Sequence, residues 1–205
     1  MNTSVDDSMA AMLNPQILLA AYSQGIFPMA DEQGLISWYD PDPRAILPLE
    51  TFHVPRRLAR TVRNGPYEVR IDSAFRQVME ACAAPAPGRE QTWITPEMID
   101  TYTALHDLGF AHSVETWLGE ELVGGLYGVA IRGLFAGESM FSRRTDASKV
   151  ALVHLVERLR RGGFMLLDTQ FLTGHLARFG AVEIPRHVYK ALLARALQVY
   201  AVWDP

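Results

Sequence analysis

Residues 111–170 read AHSVETWLGEELVGGLYGVAIRGLFAGESMFSRRTDASKVALVHLVERLRRGGFMLLDTQ, and this stretch decides the fold. Ala111 to Trp117, Leu122 to Ile131 and Leu134 to Phe141 are rich in β-formers and are joined by tight turns at Gly119–Glu120 and Arg132–Gly133, so they read as an antiparallel meander. The period then changes. Leu152, Leu155, Val156 and Leu159 recur at helical spacing, Thr145 or Asp146 can cap that helix, and Gly162–Gly163 provides its exit. Phe164 to Thr169 follows as a strand with the look of a buried one. Hairpinned strands, a helix and a further strand describe an α+β chain whose mixed sheet carries a helix across it.

Working outward, Thr95 caps a helix with Pro96 at its first position, and the pattern runs to Leu108 before Gly109 stops it. Upstream, Asn14 and Pro15 open a helix through Tyr22 that a turn over Gly25 to Pro28 ends. Ile36 to Tyr39 and Ala45 to Leu47 are short extended pieces broken by Pro41, Asp42 and Pro43. A helix from Pro55 to Arg63, a strand from Tyr67 to Ile71 and a helix from Ser73 to Ala83 follow, and Pro85 to Gly88 marks a boundary between residues 1–88, a small and mainly helical N-terminal α/β domain, and 89–205. Downstream are a short helix over Leu172 to Phe179, a strand near Val182 to Ile184 and a last helix from His187 to Tyr200. Residues Met1 to Leu13 read as a frayed polar segment.

The chain has 205 residues, 49% hydrophobic and 20% charged, enough to bury a proper core. Its formal net charge of -4 excludes nucleic-acid binding through bulk charge, so any such contact must be local. A single cysteine, Cys82, can form neither an intramolecular disulfide nor a metal cluster. Asp6 and Asp7 stand where a secretory signal needs positive charge, and no run reaches membrane-spanning length, which together read as a cytoplasmic protein. His106, His112, His154, His175 and His187 lack metal-ligand spacing, so no metal is expected.

GLYGVAIRGLFAGESMFSRRTDASKVALVHLVERL (125–159) and LLDTQFLTGHLARFGAVEIPR (166–186) resemble the leucyl/phenylalanyl-tRNA-protein transferase family. The resemblance continues through LLAAYSQGIFP, WYDPDPRAIL, FHVPRRLAR and TWITPEMIDTYTALHDLGFAHSVETW, and so runs from Leu18 to Tyr189. It implies a C-terminal domain of acetyltransferase-like (GNAT-like) fold. It also implies transfer of Leu, Phe and less readily Met from aminoacyl-tRNA to proteins beginning with Arg or Lys, with no cofactor, the product being read by degradation machinery.

In a continuing strand Asp168 and Gln170 share one face. A carboxylate after the apolar run 164–167 can hold or deprotonate an amine, and an Asp capping the following helix explains it equally well from the residues alone. The family's Asp-x-Gln falls on this pair, which makes both catalytic candidates. Glu138 is the third: a strand carboxylate needs a partner, which is either substrate or Arg143 or Arg144. The resemblance nominates Met29, Trp93, Leu126 and Leu155 as the lining of the donor aminoacyl pocket, with Met29 standing where many relatives carry Trp. Arg56, Arg57, Arg60 and Arg63 put several cations on one helix face and form the candidate tRNA-backbone patch, a solvated basic face being the plain alternative. Two rival activities are an acyl-CoA-dependent N-acetyltransferase, against which stands the absence of a Gly-rich turn at 142–147, and a non-catalytic tRNA-end binding module.

Overall fold

The computed structural model describes residues 13–85 and 91–204. The polar segment before Leu13 and the boundary at Gly88 lie outside the described residues. Asn14 does cap α1 (Pro15–Ser23), its side chain accepting from the Ile17 amide, and Gly25, at φ 74°, turns the chain into β1 (Phe27–Ala30). β1 pairs with β2 (Ile36–Tyr39) as a separate ribbon. Then come β3 (Arg44–Ile46), α2 (Arg56–Asn64), β4 (Glu68–Ile71), α3 (Phe75–Ala83) and α4 (Pro96–Asp107).

The expected meander is present as β5 (Ala111–Leu118), β6 (Glu121–Ile131) and β7 (Leu134–Ser142), all antiparallel neighbours. α5 (Ala147–Arg161) crosses over to β8 (Leu166–Gln170), which runs parallel to β7. α6 (Gly174–Ala177), β9 (Val182–Ile184) and α7 (Arg186–Ala196) complete the chain. The order in the seven-stranded sheet is β4-β5-β6-β7-β8-β3-β9, so strands from both sides of residue 88 lie side by side. The α+β class read from the sequence holds, and among the described residues no helix is long and apolar enough to cross a membrane.

Two apolar layers sandwich the sheet. α5 covers one face, where Leu152, Leu155, Val156 and Leu159 pack with Leu126, Phe135 and Leu167. On the other, Tyr22 of α1, Val78 and Met79 of α3 and Met98 and Tyr102 of α4 pack with Tyr127 and Phe141. The cap of α5 differs from expectation: Asp146 occupies the cap position at φ 65° without a side-chain capping bond, and its carboxylate takes Lys149 instead. The Ser142 hydroxyl accepts from the Ser148 amide in its place.

Gly124 is what lets α5 lie this close to β6. A Cβ there would stand 2.6 Å from the Ala147 Cβ and 2.7 Å from the Thr116 hydroxyl oxygen, and neither neighbour is a flexible side-chain end. Gly124→Ala is therefore expected to destabilise the protein by about 1–3 kcal/mol through overpacking, seen as a lower denaturation midpoint. An unchanged midpoint would show that the helix can shift freely.

Candidate active site

β7 and β8 pair only as far as Ala136↔Asp168, and beyond that point they part. The reason lies on the other edge of β7. Tyr127 of β6 faces Ser139 while Gly128 faces Gly137, so Glu138 is the extra residue of a β-bulge, which bends the strand and re-aims its side chain. On β8, Gln170 adopts φ 58° and ends the strand. The opening between the strands is a cavity of about 560 Å³. Met29, Trp93, Leu126 and Leu155 all line it, together with Glu138 and Gln170.

Glu138 and Gln170 meet: the Gln170 amide Nε2 donates to Glu138 Oε1 at 3.1 Å. The alternative partners are engaged elsewhere, Arg143 with the Leu122 carbonyl and Arg144 with Glu121. Burial pushes the Glu138 carboxyl up to about 8; the Tyr22 hydroxyl bond opposes the rise, the nearby Asp168 charge adds to it, and Arg44 opposes it. Tyr22 and Tyr102 share a hydroxyl–hydroxyl bond of 2.5 Å nearby. The buried Tyr127 hydroxyl has no partner among the described residues.

Asp168 is placed differently. It is only 1% exposed and does not line the cavity. Arg44 donates to it twice, Nε to Oδ1 at 2.9 Å and Nη2 to Oδ2 at 2.6 Å. The Tyr189 hydroxyl donates to Oδ2 at 2.8 Å, and the Gln170 backbone amide to Oδ1 at 3.0 Å. It does not cap α6, whose cap is Thr173. With these four donors in place the carboxylate has no capacity to receive an amine directly. Its contact with the site is the bond that fixes the Gln170 backbone.

Arg44 is the residue that sequence reasoning missed. It is fully buried, its Nη1 donates to the Gly25 carbonyl at 2.9 Å, and its guanidinium lies over the Tyr189 and Phe27 rings. Burial alone would lower its pKa, but the bonds and charge of Asp168 prevail and raise it. The available signal was a cation at the head of the apolar run Arg44-Ala45-Ile46-Leu47, which needs a buried counter-charge.

Arg56, Arg57, Arg60 and Arg63 are exposed along α2, and none forms an ion pair among the described residues. Two of the histidines that lack metal-ligand spacing in sequence are brought together in space: Asp72, His106 and His112 offer ligand atoms within 4.8 Å of one another. Those atoms already bond within the protein, His112 Nδ1 with Asp72 Oδ2 at 2.8 Å and His106 Nδ1 with the Ala111 carbonyl at 2.7 Å. Trp203 Nε1 also donates to Asp72 Oδ2, at 2.8 Å.

The family profile described as leucyl/phenylalanyl-tRNA protein transferase matches residues 46–194, and the profile of its N-terminal domain matches residues 11–42. The chain belongs to this family. It is 61% identical over 196 residues to the leucyl/phenylalanyl-tRNA–protein transferase of Herpetosiphon aurantiacus, covering 95% of this chain and 100% of that one. With the transferase of Phenylobacterium zucineum the identity is 63% over 182 residues, 88% of this chain and 82% of the other. The chain is thus an aminoacyltransferase. Among solved structures it is similar to L-PGS from Bacillus licheniformis, at 16% identity and TM-score 0.40 over 75% of this chain and 51% of that one.

The Glu138 carboxyl provides a test of this geometry. Folding raises its pKa from 4.5 to about 8, so between those values the folded chain holds a proton that the unfolded chain has released, and stability falls as pH rises. Glu138→Gln is expected to flatten that decline and to exceed the parent's stability by about 1–3 kcal/mol at about pH 9, measured by denaturant titration. Parallel pH profiles would contradict the buried placement.

Proposed function

We propose that the enzyme moves leucine or phenylalanine, and less readily methionine, from aminoacyl-tRNA to the α-amine of proteins that begin with Arg or Lys, marking them for degradation. The observation that carries this reading is a largely apolar cavity whose polar groups include the Glu138–Gln170 pair. Met29, Trp93, Leu126 and Leu155 enclose the donor's side chain, and an unbranched or aromatic group matches such walls. Arg56, Arg57, Arg60 and Arg63 supply the local positive charge that a chain of net charge -4 needs to hold a tRNA backbone.

The chemistry asks little of the protein. The aminoacyl ester is already activated, and a free α-amine has a pKa of about 7.7–8.0, so a fair fraction is nucleophilic at neutral pH. Holding amine and ester in contact supplies much of the acceleration. Gln170 donates its Nε2 hydrogen to Glu138, which leaves its carbonyl oxygen to accept from the incoming amine. Glu138 acts in its ionised fraction, its pKa lying near that of the amine: it takes the proton as the C–N bond forms and gives it to the ribose oxygen of the tRNA as the ester C–O bond breaks. Asp168 serves as a positioning residue: it fixes Gln170 through the backbone and is itself fixed by Arg44.

In the assay that tests this, radiolabelled Leu passes from tRNA to an Arg-initiated peptide with no added cofactor. Glu138→Gln is expected to lower kcat by about 10²–10⁴-fold while donor KM stays within about threefold, the loss expected of a proton acceptor. Absence of transfer by the parent enzyme would refute the reading. Full activity of Glu138→Gln would remove Glu138 from the proton route.

A further inference from the structure

A second cavity, of about 310 Å³, adjoins the first and is lined by Arg57, Lys149, His175 and Arg178, with Thr145 and Asp146. The two cavities meet at His175, which lines both. We propose that this second cavity is a phosphate subsite, which grips the sugar–phosphate backbone of the tRNA's acceptor end as its terminal nucleotide enters the aminoacyl cavity. The proposal rests on aminoacyl-tRNA being the donor.

Charge argues for it first. Three cations from three elements converge on one small cavity, Arg57 from the first turn of α2, Lys149 from the first turn of α5 and Arg178 from the C-terminal cap of α6. The single carboxylate among the lining residues, Asp146, is ion-paired with Lys149 at 2.5 Å. Arg57 and Arg178 form no ion pair among the described residues and are exposed, so the cavity keeps a net positive charge. Like charges brought together around a cavity are unfavourable unless an anion lies between them.

Helix direction adds to this. α2 and α5 both begin at the cavity, so the positive ends of two helix dipoles face the same space, although the Ala147 and Ser148 amides of α5 are already held by the Arg144 carbonyl and the Ser142 hydroxyl. His175 reports the field. Its imidazole pKa is lowered by burial first, and then by the charges of Lys149 and Arg178. Its Nε2 atom is buried without a partner among the described residues, at the junction where a nucleotide's sugar or phosphate would pass from one cavity to the other. A phosphodiester bears one charge and acceptor oxygens on several sides, which suits three separated donors better than a carboxylate does.

The subsite extends the tRNA contact beyond the α2 patch. Arg57 belongs to both, whereas Lys149, His175 and Arg178 come from the elements that frame the aminoacyl cavity itself. Binding there would hold the acceptor end in register with Glu138 and Gln170.

The test compares two donors with the full-length enzyme: aminoacyl-tRNA, and an aminoacyl-adenosine nucleoside that has no phosphate. Arg178→Gln and Lys149→Gln are expected each to raise KM for aminoacyl-tRNA about 3–30-fold with kcat retained, and to leave KM for the nucleoside donor unchanged. The salt dependence of tRNA binding should become shallower by about one unit of slope per variant. Equal losses with both donors would overturn the proposal, because they would mean that the aminoacyl cavity had been disturbed. Unchanged KM with both donors would overturn it too. Excess coenzyme A should not displace aminoacyl-tRNA; if it does, the phosphate held there is a pyrophosphate ester's and the proposal fails. A parent enzyme that transfers from neither donor would sink the functional reading itself, which separates that failure from a failure of the subsite.

Discussion

The buried ion pair of Arg44 and Asp168 is the constraint on which the active-site half of the sheet depends. Both side chains are 1% exposed, and burying either charge alone would cost several kcal/mol. The pair is tolerated because its hydrogen-bonding capacity is used: Arg44 donates to Asp168, to the Gly25 carbonyl and, at 3.4 Å, to the Tyr189 hydroxyl. Through those bonds β3, β8, α7 and the turn before β1 are tied to one point. β3 lies between β8 and β9 although it precedes both by more than a hundred residues, and Arg44 opens that strand.

From that fixed point the cavity follows. β8 is held at Asp168, and β7 is diverted by the bulge at Glu138, so the two strands separate just past their last paired residues. Separation exposes the ends of both strands to one space and sets Glu138 opposite Gln170. The apolar walls then come from four directions: Met29 of β1, Trp93 before α4, Leu126 of β6 and Leu155 of α5. A carboxyl in such surroundings loses hydration, and its pKa rises accordingly.

Much of this was legible in the sequence where the forces are local. The meander, the crossover helix and the strand Phe164 to Thr169 announced themselves by period, and Asn14 and Thr95 cap the helices they were expected to cap. The family motifs nominated the pocket walls. What stayed hidden depends on distant pairing. Asp168 and Gln170 read as a pair on one strand face, whereas Asp168 is taken by a residue 124 positions away, and Gln170 leaves the strand conformation at φ 58°. A bulge changes the facing of residues without changing residue types, so Glu138's position could not be read from alternation. Asp146 shows the same limit: a good capping residue in sequence, it is drawn off by Lys149 in space.

The central claim is that Asp168 holds the site while Glu138 and Gln170 meet the substrate. The most direct measurement is transfer by the double variant Arg44→Gln/Asp168→Asn, which removes both charges and keeps an acceptor oxygen for the Gln170 amide. The account predicts a folded enzyme, more stable than either single variant, whose kcat stays within about tenfold of the parent's. A folded double variant with its transfer abolished would contradict it, and would return the proton-accepting role to Asp168.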